Sequence, residues 1–408
     1  MANKAFQIEF SKTAVDEDFY GDVVSLTVEE STSAAGTLHL QIALRLQDDG
    51  KWTYLDDDRF ALFNAVKVKV GFTDGGGLLA AVGSLLGGGD SNDGLKTVFD
   101  GFVTHVDVQL GSEPDDAFLY MSGMDASVLM SVEEKVVAWP DVSDSEIAQQ
   151  ILVSTYHIPL QSDPSGTVHQ ETDTTIIQRG TDIQFVRDLA QKNGMEFYFE
   201  TDDSGTLSAY FRAPQLSGTP QPDLAIQFGD QSNLKKFSAH LSGQRPLNVK
   251  AAQIEVSANS ANVAAVSDTQ LTKLGSKDAN TLIGGQLDTL VIPKEAQAQM
   301  LVLGPPTSDA AEMQTFVQAV RDEAGWLITA SGEVNSDAYQ AVLRPRRLVL
   351  VKGAGSTYSG KYYVTRVVHE INHEGDYMQR FEARRNARDL DGTEQFGGSG
   401  SGLPIPGI

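Results

Sequence analysis

Apolar and polar residues alternate with a period of two along most of this chain, the pattern of strands with one buried face. "AFQIEF" (5–10) alternates. "GTLHLQIALRLQ" (36–47) places Leu38, Leu40, Ile42 and Leu44 on one face. "AVKVKVGF" (65–72) and "TVFDGFVTHVDVQL" (97–110) continue it. These segments predict a first antiparallel, tube-like β-barrel over residues 1–125, interrupted by an insert at 74–94.

The period then lengthens. Ser143-Asp144-Ser145-Glu146 has the spacing of a capping box, and Ile147, Ala148, Ile151 and Leu152 follow at helical intervals. This predicts a helix over about residues 144–156. A second, over about 182–193, begins at Thr181 or Asp182 and ends at Gly194, with Phe185, Val186, Leu189 and Ala190 as its stripe. "MEFYFE" and "TLSAYFR" flank Asp202-Asp203-Ser204-Gly205 and predict a hairpin over 195–213. Residues 126–225 therefore read as an α+β module. Strand patterning resumes over 226–256 and 332–390, the expected second tube-like barrel, with 257–331 inserted between them. The insertion carries Met313, Phe316, Val317 and Val320 on one face of a helix over about 309–326. Residues 391–408 form a Gly/Ser-rich tail. The expected class is mainly β, two similar antiparallel barrels enclosing smaller α+β parts.

The two strand blocks resemble each other. "GFVTHVDV" (101–108) aligns with "YYVTRVVH" (362–369) at an offset of 261, placing Phe102 on Tyr363 and Val103 on Val364. Extended without a gap, Tyr120 falls on Phe381 and Asp125 on Asn386. Upstream the offset becomes 281, from Val70 to Val351. One chain with two like barrels allows three copies to present six.

Composition narrows the function classes. The formal net charge is −24 over 408 residues, which repels nucleic acid and anionic membranes. There is no cysteine, which excludes thiol chemistry and a disulfide framework. No apolar run approaches the length of a membrane span, and "MANKAFQIEFSK" holds no signal-peptide core, so assembly in the cytoplasm is expected. Arg344-Pro345-Arg346-Arg347 is the local basic cluster, read as a solvated strand start or as a salt-bridge site for an acidic partner.

"RVVHEINHEG" (366–375) contains His369-Glu370-Ile371-Asn372-His373, the letters of a zinc-peptidase motif. On a helix the two histidines would sit one turn apart and share a metal; in a strand they stand ~13 Å apart. Tyr362, Tyr363, Val364, Thr365, Val367, Val368 and Ile371 favour strand. A zinc-dependent hydrolase is thus the alternative, disfavoured on geometry. Asp90-Ser91-Asn92-Asp93-Gly94 is one residue short of a calcium loop, and Thr73-Asp74-Gly75-Gly76-Gly77 lacks the Lys-Ser/Thr of a phosphate loop. No catalytic set, metal site or cofactor is expected.

"IIQRGTDIQFVRDLAQKNGMEFYFETDDSGTL" (176–207) resembles the central segment of the phage late-control D family, the baseplate hubs of contractile tails and the N-terminal part of VgrG spike proteins. Thr181, Asp182, Phe185, Leu189, Ala190, Gly194, Phe197, Tyr198 and Leu207 carry the likeness, and "GKYYVTRVVHEINHEGDYMQRFEARRNA" (360–387) looks like the family's last barrel block. The resemblance implies a structural, non-enzymatic homotrimeric hub. It would join a sixfold inner tube to a threefold spike, with other baseplate components around it, in a phage tail or a contractile injection particle. Such a hub inserts no segment into a membrane and has no nucleic-acid specificity. The sequence carries no fused OB-fold and needle of the VgrG kind, so a separate spike protein is expected. A hub of a non-contractile tail is the further alternative. Leu78, Leu79, Val82, Leu85 and Leu86, in the glycine-flanked insert, and Leu403 and Ile405, in the tail, are candidate partner contacts.

Overall fold

The computed structural model describes residues 3–73, 94–113, 116–171, 175–255, 260–290, 299–302, 309–372 and 376–394. The alternating segments become strands because burying every second side chain removes one full face from water, at about 1.5–3 kcal/mol per large apolar side chain. The first unit comprises β1 (Asn3–Phe10), β2 (Val23–Ser31), β3 (Thr37–Ala43), β4 (Ala65–Thr73), β5 (Leu95–Gln109) and β6 (Phe118–Asp125). Their order in the sheet is β2-β3-β6-β5-β4-β1. Ile8, Leu26, Leu38, Leu40, Ile42, Val66, Val68 and Val103 fill the core they enclose.

The α+β module follows. β7 (Glu134–Trp139) pairs with β8 (Ile176–Thr181). Helix α1 (Asp144–Gln149) continues into a π-helical turn, Gln150–Thr155, and α2 spans Asp182–Lys192. Both start in capping boxes, from Ser143 with Glu146 and from Thr181 with Gln184. β9 (Glu196–Thr201) and β10 (Leu207–Arg212) form the hairpin. Phe185, Val186, Leu189, Phe197, Phe199 and Phe211 close this core.

The second unit comprises β11 (Gln221–Ala225), β12 (Leu234–Leu241) and four later strands. Between them lies a separate three-stranded sheet of β13 (Asn248–Glu255), β14 (Ser260–Val266) and the short strand Gln299–Leu301. The pattern of β13 suits either sheet and predicts a place in the second barrel; instead β13 backs onto α3 (Ala310–Ala324) through Val249, Ala251, Met313 and Val317. The later strands are β15 (Ile328–Asn335), β16 (Leu348–Lys352), β17 (Gly360–Asn372) and β18 (Tyr377–Arg385).

Five strands of the second unit repeat the first in order; the sixth differs, since β1 pairs antiparallel with β4 and β11 parallel with β16. The order of the five is β12-β15-β18-β17-β16, against β2-β3-β6-β5-β4. Irregularities coincide as well. The β2–β3 register shifts between Val23 and Ser25, and the β12–β15 register between Leu234 and Lys236. The β5–β6 register shifts after Val103, and the β17–β18 register after Val364. Phe63 and Arg346 both have a left-handed backbone (φ 62° and 63°), and each N–H donates over 2.8 Å to the carbonyl of Val103 or Val364. Bulges are costly local devices, so their coincidence marks a duplicated unit.

The structure corrects the alignment in two places. Val106 faces Met121 and Val367 faces Phe381, so Met121, rather than Tyr120, matches Phe381, and Asp125 matches Arg385 rather than Asn386. The second turn is one residue shorter, and an ungapped extension flips every later side chain to the wrong face. Upstream, Val66 faces Gly101 and Val349 faces Tyr362, so Val68 rather than Val70 matches Val351. A two-residue slip preserves the faces, which is why the pattern does not detect it.

The two units form a mainly β fold in one sheet of 13 strands among the described residues. Their cores are packed differently. Leu40 opposite Met121 in the first unit becomes Gly332 opposite Phe381 in the second. A Cβ on Gly332 would lie 2.5 Å from the Phe381 ring and 2.8 Å from the Lys236 carbonyl. Gly332→Ala is expected to cost about 1–3 kcal/mol in urea unfolding, and Phe381→Met, which shrinks the facing ring, is expected to recover part of that loss in the double variant.

Candidate functional site: a buried charged junction between the units

β17 is divided between two partners. Its first residues pair with β16, Leu348 opposite Tyr363 and Val351 opposite Gly360. Its last residues pair antiparallel with β2, from Arg366 opposite Ser31 to Asn372 opposite Ser25. This junction fuses the two units. Ile371 and Tyr377 of the second unit enter the core of the first.

The basic cluster 344–347 sits behind this seam, and the acidic partners it meets belong to the same chain. Arg344 and Arg346 are buried. Arg344 Nη2 lies 2.9 Å and Arg346 Nη2 3.2 Å from Glu30 Oε1. Arg346 also reaches Glu200 Oε2 at 3.3 Å, donates to the Ser31 carbonyl at 2.9 Å and stacks 4.4 Å above the Tyr198 ring. Arg347 pairs with Glu200 as well. Glu30 belongs to the first unit, Glu200 and Tyr198 to the module, and the arginines to the second unit. Three parts of the chain thus meet on one set of charges. Arg366 completes the seam, both its Nε and Nη2 donating to the Glu29 carboxylate at 2.6 Å.

The acidic partner of the arginines is intramolecular, which a chain with 55 acidic residues gives no means of choosing. Burial by itself would raise both glutamates. For Glu30 the opposing pull of Arg344, His369 and Arg346 wins, and its carboxyl is held below the ordinary range. For Glu200 the arginines likewise overcome burial, and its carboxyl falls to about 2. Both remain ionised, as isolated buried carboxylates would not.

His369 is part of this cluster. It lies in β17, its Nδ1 2.7 Å from Tyr377 Oη and its Nε2 3.4 Å from Glu30 Oε2. Burial pushes its pKa down, against the smaller opposite effect of Glu30. Glu370, the next residue, pairs with Arg380 at 2.8 Å. Residues 369–372 are strand, so the helical spacing that a zinc peptidase requires is not formed here, and His373 lies outside the described residues. So do Leu78, Leu79, Val82, Leu85, Leu86, Leu403 and Ile405.

A second buried cluster escapes the sequence pattern. Asp144, His169 and Glu312 bring ligand atoms within 4.8 Å of one another, the one such group among the described residues. Lys192 Nζ stands between the carboxylates, 2.7 Å from Asp144 Oδ2 and 2.8 Å from Glu312 Oε1. An ammonium at that position bridges the two carboxylates and offsets one of their charges. The cluster ties α1 and α2 to α3. Its members are 168 residues apart, and no local spacing announces them.

Comparison with solved structures finds a similar fold in phage tail proteins. The fold resembles the 43 kDa tail protein of prophage MuSo2 from Shewanella oneidensis, at a TM-score of 0.62 and 13% identity over 95% of this chain and 100% of that one. It resembles equally the tail protein of Neisseria meningitidis MC58, at a TM-score of 0.62 and 10% identity over 94% and 97%. An Escherichia coli type VI secretion component, c3393, described as structurally similar to the T4 tail proteins gp27 and gp5, gives 0.54 and 12% over 93% and 76%. The class is therefore that of tail-protein folds. By sequence, the chain belongs to the family described as the Alg8 N-terminal domain, whose model matches residues 88–373. This differs from the late-control D family that its motifs resemble: capped helix, hairpin and barrel strands are signals of the shared scaffold and do not separate families built on it. No curated protein matches the chain.

The charged junction yields a pH dependence. Glu200 has a depressed pKa in the folded chain, so its contribution is present above the unfolded value near 4.3 and is lost as pH falls towards about 2. His369 is also depressed, so folding favours its neutral form and stability declines as pH falls below about 6.5. Both effects weaken the protein in acid. The melting temperature is expected to drop from pH 7 to pH 5, and His369→Gln, which does not titrate, is expected to flatten that first decline. Glu200→Gln strands buried guanidinium charge and is expected to cost about 3–5 kcal/mol at pH 7, read by urea unfolding.

Proposed function

We propose that this chain is the structural hub of a contractile phage tail or injection particle. In this reading three copies form a ring, and the two like units in each copy present six similar faces to a sixfold inner tube. A separate spike protein is held on the threefold side, with other baseplate components around the ring. The observation that carries the reading is the duplicated five-strand unit, down to its coincident bulges. The tail-protein fold supports it. The charged junction fits a part under mechanical load: it fixes the two units to one another through buried pairs to Glu30 and the bidentate Arg366–Glu29 pair. Assembly takes place in the cytoplasm, and among the described residues no helix is long and apolar enough to cross a membrane.

The apolar insert at 74–94, with Leu78, Leu79, Val82, Leu85 and Leu86, would meet the tube or an adjoining copy. Leu403 and Ile405 would dock the spike. The test is the mass of the purified protein: near three times 43.9 kDa, with ring-shaped particles, is expected. Affinity capture from the source cell is expected to recover tube and spike proteins, and deletion of residues 74–94 to spare the fold while impairing particle assembly. A monomer carrying stoichiometric zinc would overturn the reading.

A further inference from the structure

The internal seam has a counterpart that the single chain leaves open. β17 continues past β16 and is covered by β2. β5 in the first unit likewise continues past β4, whose pairing ends at Phe102, but its outer edge from His105 to Gln109 has no strand partner among the described residues. The equivalent of β2 is β12, which stands at the end of the sheet with only β15 beside it. We propose that β5 of one copy pairs antiparallel with β12 of a second copy, reproducing between chains the junction that β17 and β2 make within one. This rests on the hub reading and specifies how its copies join.

The duplication fixes the register. β17 maps onto β5 at an offset of 261, and β12 onto β2 at 211, since Val23 and Leu234 occupy the same place before the shared bulge. Ile371 opposite Leu26 then becomes Leu110 opposite Phe237. His369 opposite Val28 becomes Val108 opposite Ala239, and Val367 opposite Glu30 becomes Val106 opposite Leu241. These three pairs are apolar and share one face. The residues between them, Asp107 opposite His240 and Gln109 opposite Ser238, are polar and share the other. Nothing in the mapping imposed that agreement, and a one-residue slip destroys it.

Burial supports the assignment. Val108 and Leu110 are 43% and 49% exposed, whereas their counterparts His369 and Ile371 are 1% and 5% exposed beneath β2. Val106 already packs on the first core, and Phe237, Ala239 and Leu241 on the second. The new seam would run core one of one copy into core two of the next, as the internal seam does. Lys235 and Lys236 stand near the start of this bare edge, on β12. An uncovered strand edge with apolar alternation is a liability in a free chain, and lysines are a usual guard.

The chain has no cysteine, so engineered cross-links report cleanly. Facing residues in an antiparallel pair lie within disulfide reach. The full-length variant V108C/A239C, oxidised mildly, is expected to run as covalent dimers and trimers on a denaturing gel, and each single variant as a monomer apart from a symmetric dimer background. The slipped pair V108C/S238C is expected to cross-link about tenfold less. Val108→Asp, at a half-exposed position, is expected to keep the circular dichroism and melting temperature of the parent while shifting its native mass to the monomer. A parent of trimeric mass with no V108C/A239C cross-link overturns this seam and leaves the hub reading standing. Stronger cross-linking of the slipped pair overturns the register. A parent that stays monomeric at every concentration overturns both.

Discussion

The antiparallel pairing of residues 366–372 with residues 25–31 is the contact on which the rest depends. Without it the protein would be two sheets on a tether. With it, a strand of the second unit closes the core of the first, and the charged groups behind the seam are drawn out of water. Glu30 is the centre of that arrangement. It accepts from two arginines and lies within reach of His369, so removal of any one partner leaves charge buried beside it. Buried ion pairs contribute little net stability against an apolar alternative. What they supply here is specificity: one register and one relative placement of three parts.

Duplication allows the same scaffold to carry two interiors. The strand order and bulges are kept, while side chains change in compensating pairs, Leu40 and Met121 against Gly332 and Phe381. The residue that holds the left-handed corner is Phe63 in one unit and Arg346 in the other. In the first unit the corner faces solvent; in the second it supplies the guanidinium that binds the module. One backbone position shared by the units thus carries an apolar ring in the first and a charge with a separate task in the second.

Much of the fold was legible in the sequence because period-two alternation and capping boxes are local. Ser143 with Glu146 and Thr181 with Gln184 mark helix starts in the letters and in the hydrogen bonds alike. The β-rich stretch 362–371 shows why the His369 motif is not helical. What was not legible is non-local. The alignment of the two units drifted by one residue after the turn and by two before it, because no pattern counts turn residues. Arg344 and Arg346 looked solvated, since their partners Glu30 and Glu200 lie 314 and 146 residues away. The cluster of Asp144, His169, Lys192 and Glu312 is hidden for the same reason. β13 has the alternation of either sheet, and only α3 lying across it decides between them.

The seam also dictates an order of events during synthesis. Glu29 and Arg366, bound to each other in the finished protein, are 337 residues apart. While the ribosome makes the module and the insertion, β2 waits with one edge bare. Loop closure over such a span is slow, and an open strand edge invites wrong partners in the interval. The first unit therefore cannot complete itself as it emerges: its last wall, β17, follows the module and the insertion in the chain. A chain terminated before β17 would lack the seam, and the first unit would keep an open wall.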